Sequence, residues 1–160
     1  MAQTQPPSGS EHYPTLFSPI RIDSLALDNR ATVAPMTRAS ANPDGTATEQ
    51  MVEYYRRYAR GGFGLVITEG TFTDMNVGPS AVAPYGETNP IYHGNGEPFP
   101  VPEALTETGI IEVIDGFVAA AQRAMQAGFD GVEIHGANGY LLDEFITAYH
   151  NQRDDEYGGD

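Results

Sequence analysis

VEIHGANGY, at residues 132–140, is the stretch that decides the fold class of this 160-residue chain. In an extended chain successive side chains point to opposite faces, so Val132 and Ile134 share one face and His135 lies on the other. One face is therefore apolar, while the other carries groups that can do chemistry. This pattern predicts a short strand over residues 130–135 that ends in a polar turn.

Helices are predicted on both sides of this strand. Ahead of it, Thr106 is predicted to cap a helix whose apolar residues recur at helical spacing up to Ala127, and Gly128 ends that helix. The apolar face of this helix is expected to pack on the outside of the sheet. After the strand, a helix is predicted over residues 141–149. Helix, strand and helix in this order indicate an α/β fold with parallel strands, in which active sites lie beyond the C-terminal ends of the strands.

The first 70 residues show the same alternation of strands and helix. The predicted elements are a hairpin at 17–27 with Asp23-Ser24 as its turn, an inner strand at 30–35, a helix at 49–60 and an inner strand at 65–69. Thr48 is predicted to cap the helix. The stripe of Tyr54, Tyr55 and Tyr58 on that helix is interpreted as core rather than as a ligand site.

Several linked motifs resemble the flavin-dependent ene-reductases of the Old Yellow Enzyme family. They are LFSP at 16–19, LDNR at 27–30, APMTR at 34–38, ARGGFGLVITEG at 59–70, HGANGYLL at 135–142 and NQRDDEYGG at 151–159. The resemblance implies a (β/α)8 TIM barrel, which typically needs about 250 residues. We therefore expect a partial barrel that corresponds to the N-terminal half only.

The resemblance also implies an internal deletion. Between Asp74 and Ser80 the family continues for several dozen residues, with a helix and a third inner strand that carries a glutamine to the flavin. The chain passes directly across this point, and no matching glutamine is present. The expected fold therefore lacks the third-strand region.

An FMN site is implied by the resemblance at the ends of the first two inner strands. Pro35, Met36 and Thr37 correspond to the segment that runs beneath the flavin, and Gly70 to a small residue that leaves room for the flavin edge. NADH or NADPH would be the reductant. The ordinary alternative is that Thr37 caps a turn and that Gly70 serves only backbone turning.

The resemblance assigns the substrate to the last third of the chain. His135 and Asn138 would donate hydrogen bonds to the carbonyl oxygen of an enone, and Tyr140 would be the catalytic proton donor. The alternative is a satisfied structural histidine followed by an ordinary Asn-Gly turn. Arg153 and Asp154 are interpreted as a structural ion pair rather than a catalytic dyad.

Composition limits the partners. The chain has 22 acidic and 8 basic residues, a net charge of −14, no lysine and no cysteine. Phosphates of nucleic acid would be repelled, and disulfides and thiolate metal sites are excluded. The acidic balance without lysine indicates a halophilic cytoplasmic protein, with an ordinary acidic cytosolic protein as the alternative.

No apolar run approaches a membrane span, no metal site is predicted, and His93 is interpreted as a solvated loop histidine.

Residues 1–14 are predicted to be a disordered arm, and residues 15–160 an incomplete TIM-barrel flavin oxidoreductase domain. Missing strands would leave open sheet edges, so weak or no cofactor binding is expected from this chain alone. Three interpretations stay open. The chain is an FMN-dependent ene-reductase, a catalytically inactive fragment, or one half of a split flavoenzyme that needs a complementary half-barrel chain or self-association.

Overall fold

The chain forms two compact units in the computed structural model, Met1–Gly70 and Thr71–Asp160. The structure describes residues 10–71, 76–87 and 96–159. Most of the predicted arm, at residues 1–9, and the predicted loop histidine His93 lie outside these residues. Within them short strands alternate with helices, so the predicted α/β class is confirmed.

The first unit begins with the predicted hairpin. β1 (Ile20–Ile22) pairs antiparallel with β2 (Leu25–Leu27), and Ile20 lies opposite Leu27. Asp23, in the turn, has φ 50°, a left-handed conformation that aspartate tolerates better than most residues. Leu27 is buried, so the second strand carries the hairpin's apolar contact.

Two parallel strands form the sheet of the first unit. β3 (Thr32–Val33) pairs in register with β4 (Leu65–Val66), and one further bond joins Ile67 N to the Val33 carbonyl oxygen at 3.0 Å. Both strands were predicted, but both are shorter than expected. Pro35 has no amide hydrogen to donate, which is one reason that β3 ends early. Both strands therefore end at the same edge of the sheet.

Asn29 fastens the start of β3 to the loop that precedes β4. Its Oδ1 accepts hydrogen bonds from Ala31 N and Gly64 N, both at 3.0 Å, and its Nδ2 donates to the Gly62 carbonyl oxygen at 2.8 Å. A Cβ added to Gly64 would lie 2.3 Å from the Asn29 carbonyl oxygen, so this approach requires glycine. Both polar atoms of the buried Asn29 amide are thus hydrogen-bonded to the backbone around it.

α1 (Glu49–Arg60) has the predicted bounds. Thr48 Oγ1 accepts a hydrogen bond from Met51 N at 3.3 Å, which satisfies one of the free amides of the first turn. Gly61 follows the last turn, as the sequence predicts. The N-cap and the glycine stop therefore define this helix.

The aromatic stripe of α1 is a packing face. The Tyr54 ring centroid lies 5.1 Å from that of Tyr55 and 5.0 Å from that of Tyr58, both edge-on. Tyr58 in turn meets Phe63 at 5.2 Å. The structural role of the stripe is as predicted, although no residue of α1 is fully buried.

The second unit contains a strand pair that the sequence did not predict. β5 (Val77–Gly78) pairs in parallel with β6 (Glu103–Ala104), and Leu105 N donates to the Gly78 carbonyl oxygen at 2.9 Å. Pro79, directly after β5, is fully buried. Strands of two residues are too short to display an alternation of apolar and polar residues, which is why the pattern gave no sign of them.

α2 (Glu107–Gln126) agrees closely with its prediction. Thr106 Oγ1 accepts from Gly109 N at 3.0 Å and caps the helix. We expected its apolar face to pack on a sheet, but Ile110 is the only buried residue of the helix. Four large apolar residues of the helix are exposed: Ile111, Ile114, Val118 and Met125. The expected packing is therefore wrong for the part of the chain that the structure describes.

The apolar face of α2 is exposed because the strand predicted over the next segment, residues 130–135, is not formed. Val132 and Ile134 are 56% and 66% exposed, and the segment pairs with no other described strand. A strand needs a neighbour that takes its backbone hydrogen bonds. α3 (Leu141–Ile146) begins as predicted but ends before residue 149, because Thr147 leaves the helical conformation (φ −92°, ψ 116°).

Arg153 joins the last segment of the chain to both strands of the second unit. Its Nη1 donates to the carbonyl oxygens of Pro79, at 2.9 Å, and Leu105. Its Nε donates to Asp155 Oδ1 at 2.9 Å, and Nη2 contacts the other oxygen of that carboxylate. The predicted pair with Asp154 is therefore wrong. A turn that begins at Asp155 bends its carboxylate back to the guanidinium, whereas Asp154 is exposed.

Candidate functional site

The four candidate cofactor residues lie where β3 and β4 end. Pro35, Met36 and Thr37 follow β3, and Gly70 follows β4. Because the strands are parallel, both groups of residues leave the sheet at the same edge, which is where α/β folds hold their ligands. All four residues are exposed. The structure thus brings the predicted cofactor residues to one edge of one unit.

This edge fits one side of a flat heteroaromatic ring. A Cβ added to Gly70 would meet no heavy atom within 4 Å, so the space beside its backbone is open. Thr37 is exposed and offers a hydroxyl that can donate and accept a hydrogen bond. An isoalloxazine ring needs this combination of open space and polar edge contacts.

Sequence reasoning missed two residues that organise this edge, Tyr55 and Glu69. Glu69 N donates to the Tyr55 hydroxyl at 2.7 Å, and that hydroxyl lies 3.2 Å from Glu69 Oε1. Burial is the largest effect on the pKa of Tyr55 and raises it. The available signal was the position of Glu69, directly before Gly70 at the end of a predicted strand.

A cleft of about 320 Å³ opens beside Arg38. The Arg38 guanidinium lies 4.7 Å from the centroid of the Tyr54 ring, a cation–π contact. Met51 and Arg57 also line this cleft. None of the predicted cofactor residues lines it, so the cleft is separate from the candidate flavin edge.

The three candidate substrate residues lie around the turn before α3. The rings of His135 and Tyr140 have centroids 5.0 Å apart and are tilted by 56°. Between them Asn138 and Gly139 have φ 61° and 76°, a left-handed turn that asparagine and glycine adopt most easily. Gly139 N donates to Asp143 Oδ2 at 2.8 Å, which holds the turn against the start of α3.

The structure therefore brings His135 and Tyr140 into contact and places Asn138 in the turn that joins them. All three residues are exposed, and Tyr140 is 45% exposed. The histidine does not end a paired strand, contrary to the prediction, because that strand has no neighbour among the described residues. Geometry alone supports a donor pair and a phenol on one short segment.

The pKa of one carboxyl group on α3, that of Glu144, is raised. Burial is the largest effect on the pKa of Glu144 and raises it, Asp143 adds to the rise, and His150 opposes it. Glu144 Oε2 would lie 3.3 Å from a Cβ added to Gly78, which locates the carboxylate against β5. Nδ1 of His150 is buried and has no hydrogen-bond partner among the described residues.

In residues 10–71, 76–87 and 96–159, no group of three or more histidine, aspartate or glutamate side chains is arranged to hold a metal ion. None of the helices in these ranges combines the length and the apolar character that crossing a membrane requires.

The motifs and the parallel strand pair agree with comparisons to known proteins. A model of the NADH:flavin oxidoreductase / NADH oxidase family matches residues 15–84 and 74–160. The chain belongs to this family. The two matches overlap at residues 74–84, where the sequence predicts the internal break.

Curated relatives carry the corresponding names. The chain is 35% identical to an NADH oxidase of Thermoanaerobacter brockii, over 92% of the chain and 30% of that protein. It is 33% identical to an NADPH dehydrogenase of Clostridium acetobutylicum, over 90% of the chain and 54% of that protein. It is 30% identical to a probable flavin mononucleotide-dependent alkene reductase of Leishmania infantum, over 95% of the chain and 57% of that protein.

Solved structures of Old Yellow Enzyme type share the fold. The old yellow enzyme homologue from Zymomonas mobilis superposes with a TM-score of 0.80 and 32% identity, over 92% of this chain and 55% of that one. Morphinone reductase superposes with a TM-score of 0.76 and 28% identity, over 91% and 54%. The predicted partial (β/α)8 barrel is thus confirmed, and the described strands of this chain close no barrel.

Two facts describe how the chain relates to its family in length. It spans about half or less of the length of the curated relatives that it matches. The alignment with the Thermoanaerobacter protein extends over 192 positions, more than the 160 residues of the chain, so that relative carries residues without a counterpart here. The longer alignment agrees with the internal deletion predicted from the motifs.

Proposed function

We propose that this protein is an FMN-dependent oxidoreductase of the ene-reductase type, which reduces activated alkenes such as enones with NADH or NADPH. The observation that carries the proposal is the shared edge of β3 and β4. There Pro35, Met36 and Thr37 face solvent beside the open space at Gly70. Membership of the flavin oxidoreductase family supports FMN as the cofactor of this edge.

The residues of the second unit supply the substrate chemistry in this proposal. His135 and Asn138 can each donate a hydrogen bond to a carbonyl oxygen and so stabilise enolate-like charge. Tyr140 can deliver a proton to the α-carbon from its phenol. When bound, FMN supplies the hydride.

An FMN titration tests the cofactor assignment. The purified chain is titrated with FMN in molar potassium chloride, and the quenching of flavin fluorescence is followed. Saturable binding would support the assignment, and Gly70→Leu should then abolish it because the added side chain fills the open space beside Gly70. Gly70→Ala is the matched control for stability. Absence of binding by the wild-type chain, or full binding by Gly70→Leu, would overturn the assignment.

A second candidate is that the chain is one half of a flavoenzyme and binds FMN only with a complementary half-barrel chain or after self-association. The exposed apolar residues of α2 favour it, together with Val132 and Ile134. Exposed apolar surface of this kind marks a site where another protein segment packs. Light scattering during the FMN titration separates the candidates, since flavin binding by a monomer supports the first and binding confined to an assembly supports the second.

The acidic composition supports a further proposal about the environment of the protein. A net charge of −14 without lysine is suited to a high-salt cytoplasm, where screening removes the repulsion among carboxylates. Arg56 pairs with Glu49 and Glu53 on helix α1, but the chain has 22 acidic residues and only 8 basic ones. The dependence of the melting midpoint on potassium chloride concentration tests this proposal.

A further inference from the structure

Glu69 connects three separate segments of the first unit. Its Oε2 accepts a hydrogen bond from the backbone amide of Arg38 at 2.9 Å, and its Oε1 lies 3.2 Å from the hydroxyl of Tyr55, which donates to it. Its own backbone amide donates to the same hydroxyl at 2.7 Å. One carboxylate thus joins the end of β4, helix α1 and the segment that follows β3.

The position of these bonds matters more than their number. The ladder between β3 and β4 ends with the bond from Ile67 N to Val33 O at 3.0 Å. The bond from Arg38 N to Glu69 is the next described hydrogen bond between the two extensions. The candidate flavin segment, residues 35–37, lies between these two ties. Its path is therefore fixed at one end by the sheet and at the other end by Glu69.

Tyr55 completes this arrangement from the outer helix. Its hydroxyl accepts from the Glu69 amide and donates to the Glu69 carboxylate, so both hydrogen-bonding functions of the phenol are used. The phenol of Tyr55 is protonated and able to donate at neutral pH, since its ordinary pKa is 10.0 and burial raises that pKa further. The carboxylate is held in one orientation as a result.

We propose that Tyr55 and Glu69 are positioning residues that hold the segment 35–37 in the conformation that receives the flavin ring. Neither residue needs to touch the cofactor, because both act through the backbone of Arg38 and the segment before it. This inference rests on the proposed FMN function. A preformed segment binds more tightly because the ligand does not have to order it.

The test compares Tyr55→Phe and Glu69→Gln with the matched control Tyr58→Phe. Tyr58 lies on the same helix and its hydroxyl interacts with Tyr54 rather than with Glu69. Three quantities are measured for each protein: hydrogen exchange of the Arg38 amide by NMR without flavin, the dissociation constant of FMN with the absorption spectrum of the bound flavin, and the melting midpoint.

In both test variants we expect the Arg38 amide to exchange faster and FMN to bind more weakly, each by roughly tenfold, as expected for the loss of one charge-assisted hydrogen bond. The spectrum of bound FMN should also change, whereas the melting midpoint should match that of Tyr58→Phe. A merely structural role would lower the midpoint without these specific changes.

The outcomes separate this inference from the function on which it rests. If the wild-type chain binds FMN and both Tyr55→Phe and Glu69→Gln bind it with the same affinity, the positioning role is overturned and the FMN assignment stays intact. Unchanged exchange of the Arg38 amide would overturn it as well. Failure of the wild-type chain to bind FMN would overturn the proposed function, and the positioning role with it, while the exchange data would still show whether the tie to Arg38 exists.

Discussion

Nη1 of Arg153 donates a hydrogen bond to the carbonyl oxygen of Pro79, 2.9 Å away and 74 residues earlier in the chain. The same nitrogen also reaches the carbonyl oxygen of Leu105, while the carboxylate of Asp155 holds the other side of the guanidinium. The planar fork of arginine can serve these acceptors at once, which the ammonium of lysine does not do in the same geometry. The second unit therefore depends on this side chain for the junction of its strands and its last segment.

Replacement of Asp155 by alanine should lower the melting midpoint of the protein. The guanidinium would lose its bidentate partner, and the turn would lose the bond from Tyr157 N to Asp155 Oδ1, 3.1 Å long. Asp154→Ala, a change of the same type one residue earlier at an exposed position, is the matched control and should leave the midpoint nearly unchanged. Equal effects of the two variants, measured by circular dichroism, would contradict the assignment of Asp155 as the partner.

Gly64→Ala should destabilise the first unit by about 1–3 kcal/mol, as overpacking against a fixed neighbour does. The added Cβ would lie 2.3 Å from the Asn29 carbonyl oxygen, and backbone has no rotamer with which to move away. Gly70→Ala adds the same methyl group in open space and should change stability by less than about 0.5 kcal/mol. Urea unfolding curves of the two variants provide the comparison.

Glu144 should make stability depend on pH in the direction opposite to ordinary acid denaturation. Burial raises its pKa above the usual 4.5, so the folded protein binds this proton more tightly than the unfolded chain. The contribution of Glu144 is fully present below the unfolded pKa and is lost as pH rises through the raised folded pKa. Glu144→Gln should remove this loss, so that the variant gains stability relative to wild type from about pH 4 to 7.

The comparison of melting midpoints of wild type and Glu144→Gln across that pH range reports Glu144 together with its interaction with His150. Other carboxyls act in the opposite sense, since hydrogen bonds lower the pKa of Asp155 and of Glu53. Their effects are common to both proteins and cancel in the difference. A difference that stays constant with pH would show that Glu144 is not perturbed by its burial against β5.

Tyr140→Phe should lower the rate of enone reduction by about 100-fold or more, the contribution typical of a positioned proton donor. The phenyl ring keeps the contact with His135, whose centroid lies 5.0 Å away, so the local structure should persist. FMN affinity should be unchanged. Tyr149→Phe, which also removes a phenolic hydroxyl from this unit, is the control and should retain activity. Full activity of Tyr140→Phe would contradict the role of Tyr140 and would mean that another residue or water donates the proton.

Potassium chloride should raise the melting midpoint of this protein, most steeply at low concentration. The Debye length falls from about 10 Å at 0.1 M to about 3 Å at 1 M salt, so repulsion within a chain of net charge −14 is largely screened by the end of that range. Sucrose at equal osmolality is the uncharged control. An equal rise in sucrose would mean that screening of the carboxylates is not the cause.

The elements with strong local signals were predictable from the sequence. Helices α1 and α2 lie where the caps Thr48 and Thr106 predict them, because capping and apolar spacing are local properties. The pair β5 and β6 was missed, since two-residue strands have no measurable pattern. The segment at residues 130–135 was predicted as a strand from its alternation, but pairing depends on a neighbour that lies elsewhere in the chain.

The candidate site, like the fold, was predictable from the sequence only in part. The candidate residues came from the family resemblance and their roles stay predictions, while the structure brings Thr37 and Gly70 to one edge and His135 next to Tyr140. The hydrogen bonds of Glu69 were beyond prediction, because they join segments that are far apart in sequence and depend on the orientation of one carboxylate.

The uncovered apolar face of α2 bears on how long the protein survives in a cell. Chaperones and proteases triage proteins according to the apolar surface and loose segments that they display. Ile114 and Val118 present such a surface in the part of the chain that the structure describes. The steady-state abundance of this chain should therefore follow the supply of whatever covers α2, and a cell could set the level of the protein by degradation without any change in its synthesis.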